Sequence, residues 1–347
     1  MKLLMVGPMT GISNTCRLRA NALKKICDKV DIISIDERKV TLEYKVRNKL
    51  FNMGMSVAVS ERNNENEALI EAITKDVYDI IWIDKGCTIF ASTLEKVKII
   101  SPNSIIVNFS LDNMMERHNQ SKQFLQSIHL YDVHITTKSF IIKQLYDMGA
   151  KSVIYTNQSY DEDFHYPREI NNQDLLRLGA DVGFVGMWEK ERMEDILYLT
   201  RNGVKVRVFG DKKWKQCDND NPNLIIENHG LYDDDYAKSF RCFKISLCFL
   251  RKMNHDLHTS RSMEIPACGG FMMAERTVEH QKLFKEDKEA VFFSSKEELL
   301  KKCKYYLSHD EERIKIVENG RNRCLKSGYS NIETLRRIID EVQQMRI

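Results

Sequence analysis

The feature that most constrains this chain is a rhythm that runs twice. Short apolar runs rich in β-branched residues alternate with amphipathic stretches of helical spacing, once through residues 2–155 and again through 182–344, with a polar, aperiodic break at 157–180. Such alternation predicts parallel sheets whose faces are covered by the helices between the strands. The first series places strands at Lys2–Val6, Val30–Ile35, Asp79–Ile83, Ile105–Phe109, Val133–Thr136 and Ser152–Tyr155, and a helix over Thr15–Cys27 whose Leu18, Ala22, Leu23 and Ile26 share one face. The second places strands at Val182–Val185, Val204–Phe209, Leu224–Glu227, Phe243–Phe249, Gly270–Met273 and Ala290–Phe293. Helices over Lys296–Leu307, Glu311–Lys326 and Ile332–Gln344 follow. The expectation is two Rossmann-like α/β domains, over 1–165 and 166–328, with 329–347 as a closing helix; 347 residues suit two such cores.

Charge and cysteine usage narrow the class. A net charge of +3, on 53 basic and 50 acidic residues, supplies no field that argues for nucleic acid. Nine cysteines with no Cys-x-x-Cys pair read as free thiols in a reducing compartment. The N-terminal apolar run breaks at Gly7-Pro8, too soon for a signal-peptide core, and no stretch approaches the roughly 20 apolar residues of a membrane span. A cytoplasmic protein is expected, with the inner membrane face as the place to which a lipid-linked acceptor would bring it.

The richest segment for chemistry is 254–275, which lies between two predicted strands. A helix over Thr259–Cys268 would leave the carboxyl edge of a sheet, where open α/β sheets bind ligands. Its first N–H groups, at Thr259, Ser260 and Arg261, and the Arg261 guanidinium suit a diphosphate. Glu264, three residues on, suits a ribose diol, and Asp256 and His258 in the preceding loop suit a sugar. The competing reading is an Arg261–Glu264 surface pair; a helix capped by Ser260 would put Met263, not Glu264, in the capping-box position.

The run Arg261-Ser262-Met263-Glu264-Ile265-Pro266-Ala267-Cys268-Gly269-Gly270-Phe271, with Glu289–Phe293, Glu298-Leu299 and Tyr306-Leu307, resembles the C-terminal domain of CgeB-type (spore-maturation) glycosyltransferases of the GT-B superfamily. Asp84-Lys85-Gly86, Asn108–Asn113, Thr137–Phe140 and Gly149-Ala150 resemble its first domain. The resemblance implies two Rossmann-like domains facing across a cleft and a last helix crossing back to the N-domain. It also implies a sugar moved from a nucleotide-sugar donor, a UDP-sugar by preference, to a hydroxyl of a glycan, protein or other cell-surface acceptor. The wider group carries two acidic residues with seven between them, which fall here on Asp256 and Glu264; the first is Asp where that group usually has Glu.

Other positions join the expected site. Gly186, after the first C-domain strand, and Lys190, in the helix it leads into with Arg192, suit phosphate; His229 follows another strand at the matching edge; Gly11 lies in the first strand-to-helix loop of the N-domain. That loop lacks G-x-G-x-x-G, which argues against nicotinamide, although Asp36 stands after the second strand. Asp112 or His118 would supply a base. Asp233-Asp234-Asp235 mimics a metal motif but opens a helix, where acids are favoured by the dipole, and His255 and His258 have no third zinc ligand at suitable spacing. Neither a cofactor nor a metal is expected, the nucleotide-sugar being a substrate. A non-catalytic nucleotide-sugar-binding scaffold of the same fold, or a two-domain epimerase, would share these features.

Overall fold

The computed structural model describes residues 1–36, 41–217 and 220–345. The chain divides into two compact units, Met1–Asn157 with Asn331–Ile347, and Gln158–Ser330.

Unit 1 contains β1 (Lys2–Gly7), α1 (Thr15–Ile26), β2 (Lys29–Ser34), α2 (Leu42–Asn52), α3 (Glu65–Lys75), β3 (Ile80–Asp84), α4 (Ala91–Ile100), β4 (Ile105–Ser110), α5 (Lys122–Ser127), β5 (Val133–Thr136), α6 (Ile142–Asp147) and β6 (Val153–Tyr155). Its six strands pair in parallel in the order β2-β1-β3-β4-β5-β6. Period-two alternation sorts β1 between the two faces. Leu3 and Met5 pack with Leu23 of α1 and Trp82, while Leu4 and Val6 pack with Leu69 of α3 and Leu94 of α4.

Unit 2 begins with α7 (Asn172–Leu178), β7 (Ala180–Val185), α8 (Lys190–Arg201), β8 (Val206–Phe209), β9 (Leu224–Ile226), α9 (Asp233–Cys242) and β10 (Phe243–Cys248). It continues with α10 (Ser260–Ala267), β11 (Met272–Glu275), α11 (Val278–Leu283), β12 (Val291–Phe293), α12 (Lys296–Leu307) and α13 (Asp310–Lys326). The sheet order, β12-β11-β10-β7-β8-β9, is again all parallel. The chain then returns to unit 1 through α14 (Asn331–Gln344), which packs on α1. Leu335, Ile338, Ile339 and Val342 of α14 are buried in the same cluster as Leu3 and Met5. Burying four such side chains contributes on the order of 6–12 kcal/mol before conformational entropy is subtracted.

Beyond shifts of one or two residues at element ends, three departures from the sequence reading have a physical cause. The polar break holds a helix, α7, whose Asn171 and Asp174 form a reciprocal capping box; Leu175 and Leu176 are exposed, so no apolar stripe marked it. β11 starts at Met272 rather than Gly270, because the Gly270 N–H is spent on the Ile265 carbonyl of α10 at 2.9 Å. The N-cap of α10 is Thr259, not Ser260. Among the described residues no helix is long and apolar enough to cross a membrane.

Candidate functional site

In the second sheet the strand order reverses direction between β7 and β10. The connections leaving these two neighbours run to opposite sides, α8 toward β8 and α10 toward β11, which opens a crevice at the strands' carboxyl ends. The loop at 186–189 forms one lip and the loop at 249–259 the other.

The start of α10 is fixed by two buried histidines. The Thr259 N–H donates to Ser262 Oγ at 3.0 Å, and Ser262 in turn lies 2.8 Å from His280 Nε2. His280 Nδ1 lies 2.7 Å from the Glu275 carbonyl, which can only accept, so Nδ1 carries the proton and Nε2 accepts from the Ser262 hydroxyl. Burial pushes the His280 pKa down to about 4, which keeps the ring in this neutral form. His258 makes a parallel arrangement: the Gln158 N–H donates to its Nε2 at 2.9 Å, and its Nδ1 donates to Glu279 at 2.5 Å. The Ser260 hydroxyl donates to Gln158 Oε1 at 2.5 Å. The cap thus consumes the Thr259 amide but leaves those of Ser260 and Arg261, the first two of the helix, without an intrahelical carbonyl.

Arginines gather beside this helix end. Arg261 is half-buried, and its Nε is shielded from water with no hydrogen-bond partner. Arg192, fully buried on α8, donates to the Met187 carbonyl at 3.0 Å and the Leu250 carbonyl at 3.1 Å, tying both lips together. Burial, together with nearby Arg261 and Arg251, lowers its pKa from the usual guanidinium value. Glu189 lies 3.6 Å from Arg192 and 3.4 Å from Arg251. Glu264, one turn into α10, is 5 % exposed; it accepts from the Tyr236 hydroxyl at 2.5 Å and lies 3.6 Å from His165 Nε2. Burial and this carboxylate hold the Tyr236 phenol protonated well above its ordinary range. A carboxylate offers about four acceptor positions, so Tyr236 leaves room for further donors.

The structure therefore brings Thr259, Ser260, Arg261 and Glu264 to one helix end, with Asp256 in the loop before it; Asp256 bears electrostatically on Arg261. Other expected members play different parts. His258 is 0 % exposed with both ring nitrogens engaged, so it positions the loop and has nothing left for a ligand. Gly186 is needed for packing: its N–H bonds the Phe209 carbonyl, its C=O accepts from Trp214, and a Cβ would meet the Phe184 ring at 2.6 Å. Lys190 is exposed and 3.8 Å from Glu194 on its own helix, while its neighbour Arg192 is the buried cation. His229 is exposed near Glu227. Two of the acidic triplet are taken by cations, Asp234 by Arg168 and Lys238, and Asp235 by Arg177. Among the described residues no cluster of three or more His, Cys, Asp or Glu is placed to hold a metal ion.

In unit 1, Gly11 is exposed with φ +86°, in the turn that precedes the α1 cap, Asn14. Asp36 accepts from the Met9 N–H and the Ser34 hydroxyl. Asp112, after β4, is bound by Lys85 Nζ at 2.6 Å; the same amine donates to Asn119 at 2.9 Å, beside His118. Tyr236, His165, Gln158, Glu279 and His280 are parts of the site that the sequence reading did not assign there; that reading names Arg192 beside Lys190 as a basic residue suited to phosphate, with Lys190 preferred.

Two α/β units with all-parallel sheets, joined by a returning C-terminal helix and with a crevice of this kind, define the GT-B fold. Residues 191–340 match the family model described as Glycosyl transferase-like. The fold is shared with sucrose-phosphate synthase from Thermosynechococcus elongatus (13% identity, 99% of each chain covered, TM-score 0.70). It is also shared with Anabaena Alr3699/HepE in complex with UDP-glucose (12% identity, 99% of this chain and 100% of that one, TM-score 0.63). A third such structure is a glycosyltransferase from Rickettsia africae ESF-5 (12% identity, 99% and 98%, TM-score 0.62). At these identities the likeness is one of fold. No curated protein sequence matches the chain.

Proposed function

We propose that the chain is a glycosyltransferase that moves a sugar from a nucleoside-diphosphate sugar, UDP-linked by preference, to a hydroxyl of a glycan, a protein or another cell-surface acceptor, and that it is of the CgeB type its C-terminal motif resembles. One observation carries the reading: a helix N-terminus with two unspent amides and a guanidinium with an unpartnered Nε stand together at the topological switch point of unit 2. The family match and the UDP-glucose carried by the Anabaena protein of like fold support it. In this reading the Ser260 and Arg261 amides and the Arg261 side chain take the diphosphate, Glu264 takes the ribose hydroxyls, and Asp256 takes the sugar.

Transfer breaks the bond from the anomeric carbon to the phosphate oxygen and forms one to the acceptor oxygen. The electron pair leaves with the diphosphate, whose growing charge the helix end and Arg261 stabilise. The acceptor's proton passes to a base; Asp112 and His118 are proposed for that role. No metal ion is proposed. Purified protein incubated with a panel of nucleotide sugars and glycan acceptors, with products followed by mass spectrometry, should give glycosylated product and UDP, with at most a few-fold loss in excess chelator. An epimerised sugar, or binding without turnover, would replace this reading with an epimerase or a scaffold. Activity abolished by chelation and restored by magnesium would overturn its metal-free form.

A further inference from the structure

The opposite edge of the unit 2 sheet holds a cavity that the proposed transfer reaction does not use. It opens at the amino-terminal ends of β7, β8 and β10, marked by Ala180, Val206 and Phe243, and has a volume of about 960 Å³. That is the upper end of the usual range for small-molecule sites. The six-residue strands β7 and β10 separate it from the switch-point crevice by roughly 20 Å at about 3.3 Å per residue.

The walls are of two kinds. Phe243, Phe271, Val206 and Val317 give an apolar interior, and three large aliphatic side chains from three different elements stand in water around it. Leu175 of α7 is 48% exposed, Ile225 of β9 52% and Ile314 of α13 56%. Single exposed aliphatics are ordinary; three converging on one opening supply apolar contact area for an occupant.

The other kind is cationic. Six basic side chains line the cavity, against the acids Asp181 and Glu318. Four are accounted for by the protein. Arg207 pairs with Glu227 at 2.6 Å, Lys244 with Asp181 at 2.7 Å and Arg313 with Asp310 at 2.8 Å, and Arg241 donates to the Arg168 carbonyl. Helices α7 and α9 end here, so their negative dipole ends call for some of this charge. The other two are Lys205, exposed, and Arg321 of α13, whose Nε is buried without a hydrogen-bond partner; neither is in an ion pair among the described residues.

We propose that this cavity binds an anionic amphiphile, a molecule with a single phosphate head and an aliphatic body, its head on Arg321 and Lys205 and its body along the Leu175, Ile225 and Ile314 rim. A free phosphate would leave the rim wet, and a neutral lipid would leave the Arg321 charge unanswered.

Calorimetry on the full chain with decyl phosphate below its micellar concentration tests this, with inorganic phosphate and decanol as separate arms. The expected result is saturable one-to-one binding of decyl phosphate, at least tenfold weaker binding of either half-molecule, and no displacement by UDP. Arg321→Gln and Ile314→Asp should each weaken decyl phosphate at least tenfold while leaving UDP affinity and melting temperature unchanged. Ile314 is exposed, so that variant keeps the test valid should Arg321→Gln fail to fold. Inorganic phosphate binding as tightly as decyl phosphate, displacement by UDP, or undiminished binding in both variants would overturn the proposal.

Discussion

The same crevice occurs twice in this molecule, and the two are finished differently. In unit 1 the strand order reverses between β1 and β3, and a cavity of about 330 Å³ lies there. Two of its cations are closed off by direct contact: Arg19 meets Asp84 at 2.6 Å with both side chains largely buried, and Lys85 meets Asp112 at 2.6 Å. In unit 2 the carboxylates that bear on Arg261 are Glu264, which accepts from Tyr236, and Asp256, and among the described residues neither closes an ion pair with it. An ion pair already closed has little to offer an incoming charge, whereas a guanidinium with no carboxylate on it gains a charge-assisted hydrogen bond from one. Topology makes both edges possible sites; side-chain pairing decides which one suits an anion.

The largest effect should come from opening the closed pair. Arg19→Met leaves Asp84 buried and uncompensated, and unit 1 should lose about 3–5 kcal/mol, read as an earlier urea transition. UDP affinity should stay within about twofold. If UDP binding fell with it, the unit 1 crevice would belong to the donor site and the contrast would collapse.

Next comes the open side. Arg261→Gln keeps much of the side chain's bulk and loses the charge, and the UDP dissociation constant should rise by roughly 30-fold or more, as for a charged contact worth 2 kcal/mol or above. The ligand-free melting temperature should hardly move. A mutant that bound UDP normally but melted early would make Arg261 a structural residue like Arg19.

The smallest effect concerns Asp195 on α8, whose pKa is raised to about 6 by burial and then by nearby Glu275, with Lys252 opposing. An acid with a raised folded-state pKa takes its proton in the folded chain first, so its penalty is full above about pH 6 and fades as pH falls toward its unfolded value near 4. Asp195→Asn should therefore raise the melting temperature by up to a few degrees at pH 8 and give no gain at pH 4. A gain equal at both values would mean that charge is not the cause.

Both sheets and the closing helix were legible because buried parallel strands are continuous apolar runs and α14 carries an unbroken stripe. The arginine–glutamate helix was legible from Arg261 and Glu264. Of the two basic residues read on α8, Arg192 could have been ranked first: it stands at helical spacing with Ile196 and Leu199, the buried face of α8, whereas Lys190 does not. His165 and Tyr236 were not, since they meet Glu264 from 99 and 28 residues away and no local pattern records such a meeting. The cap was misplaced because Thr259 and Ser260 are adjacent hydroxyl residues; Ser262 and the distant His280 decide between them.

The chain leaves unit 1 at Asn157 and re-enters it at Asn331, so unit 2 is an uninterrupted insertion whose own ends meet, the Tyr160 N–H bonding the Tyr329 carbonyl at 3.2 Å. On the ribosome this orders events. Unit 2 has all of its residues once position 330 has emerged, while the half-built core around Leu3, Met5 and Leu23 must wait for Leu335, Ile338 and Val342. The part synthesised first is the last to be completed, and for that interval its apolar face is a natural client for a chaperone.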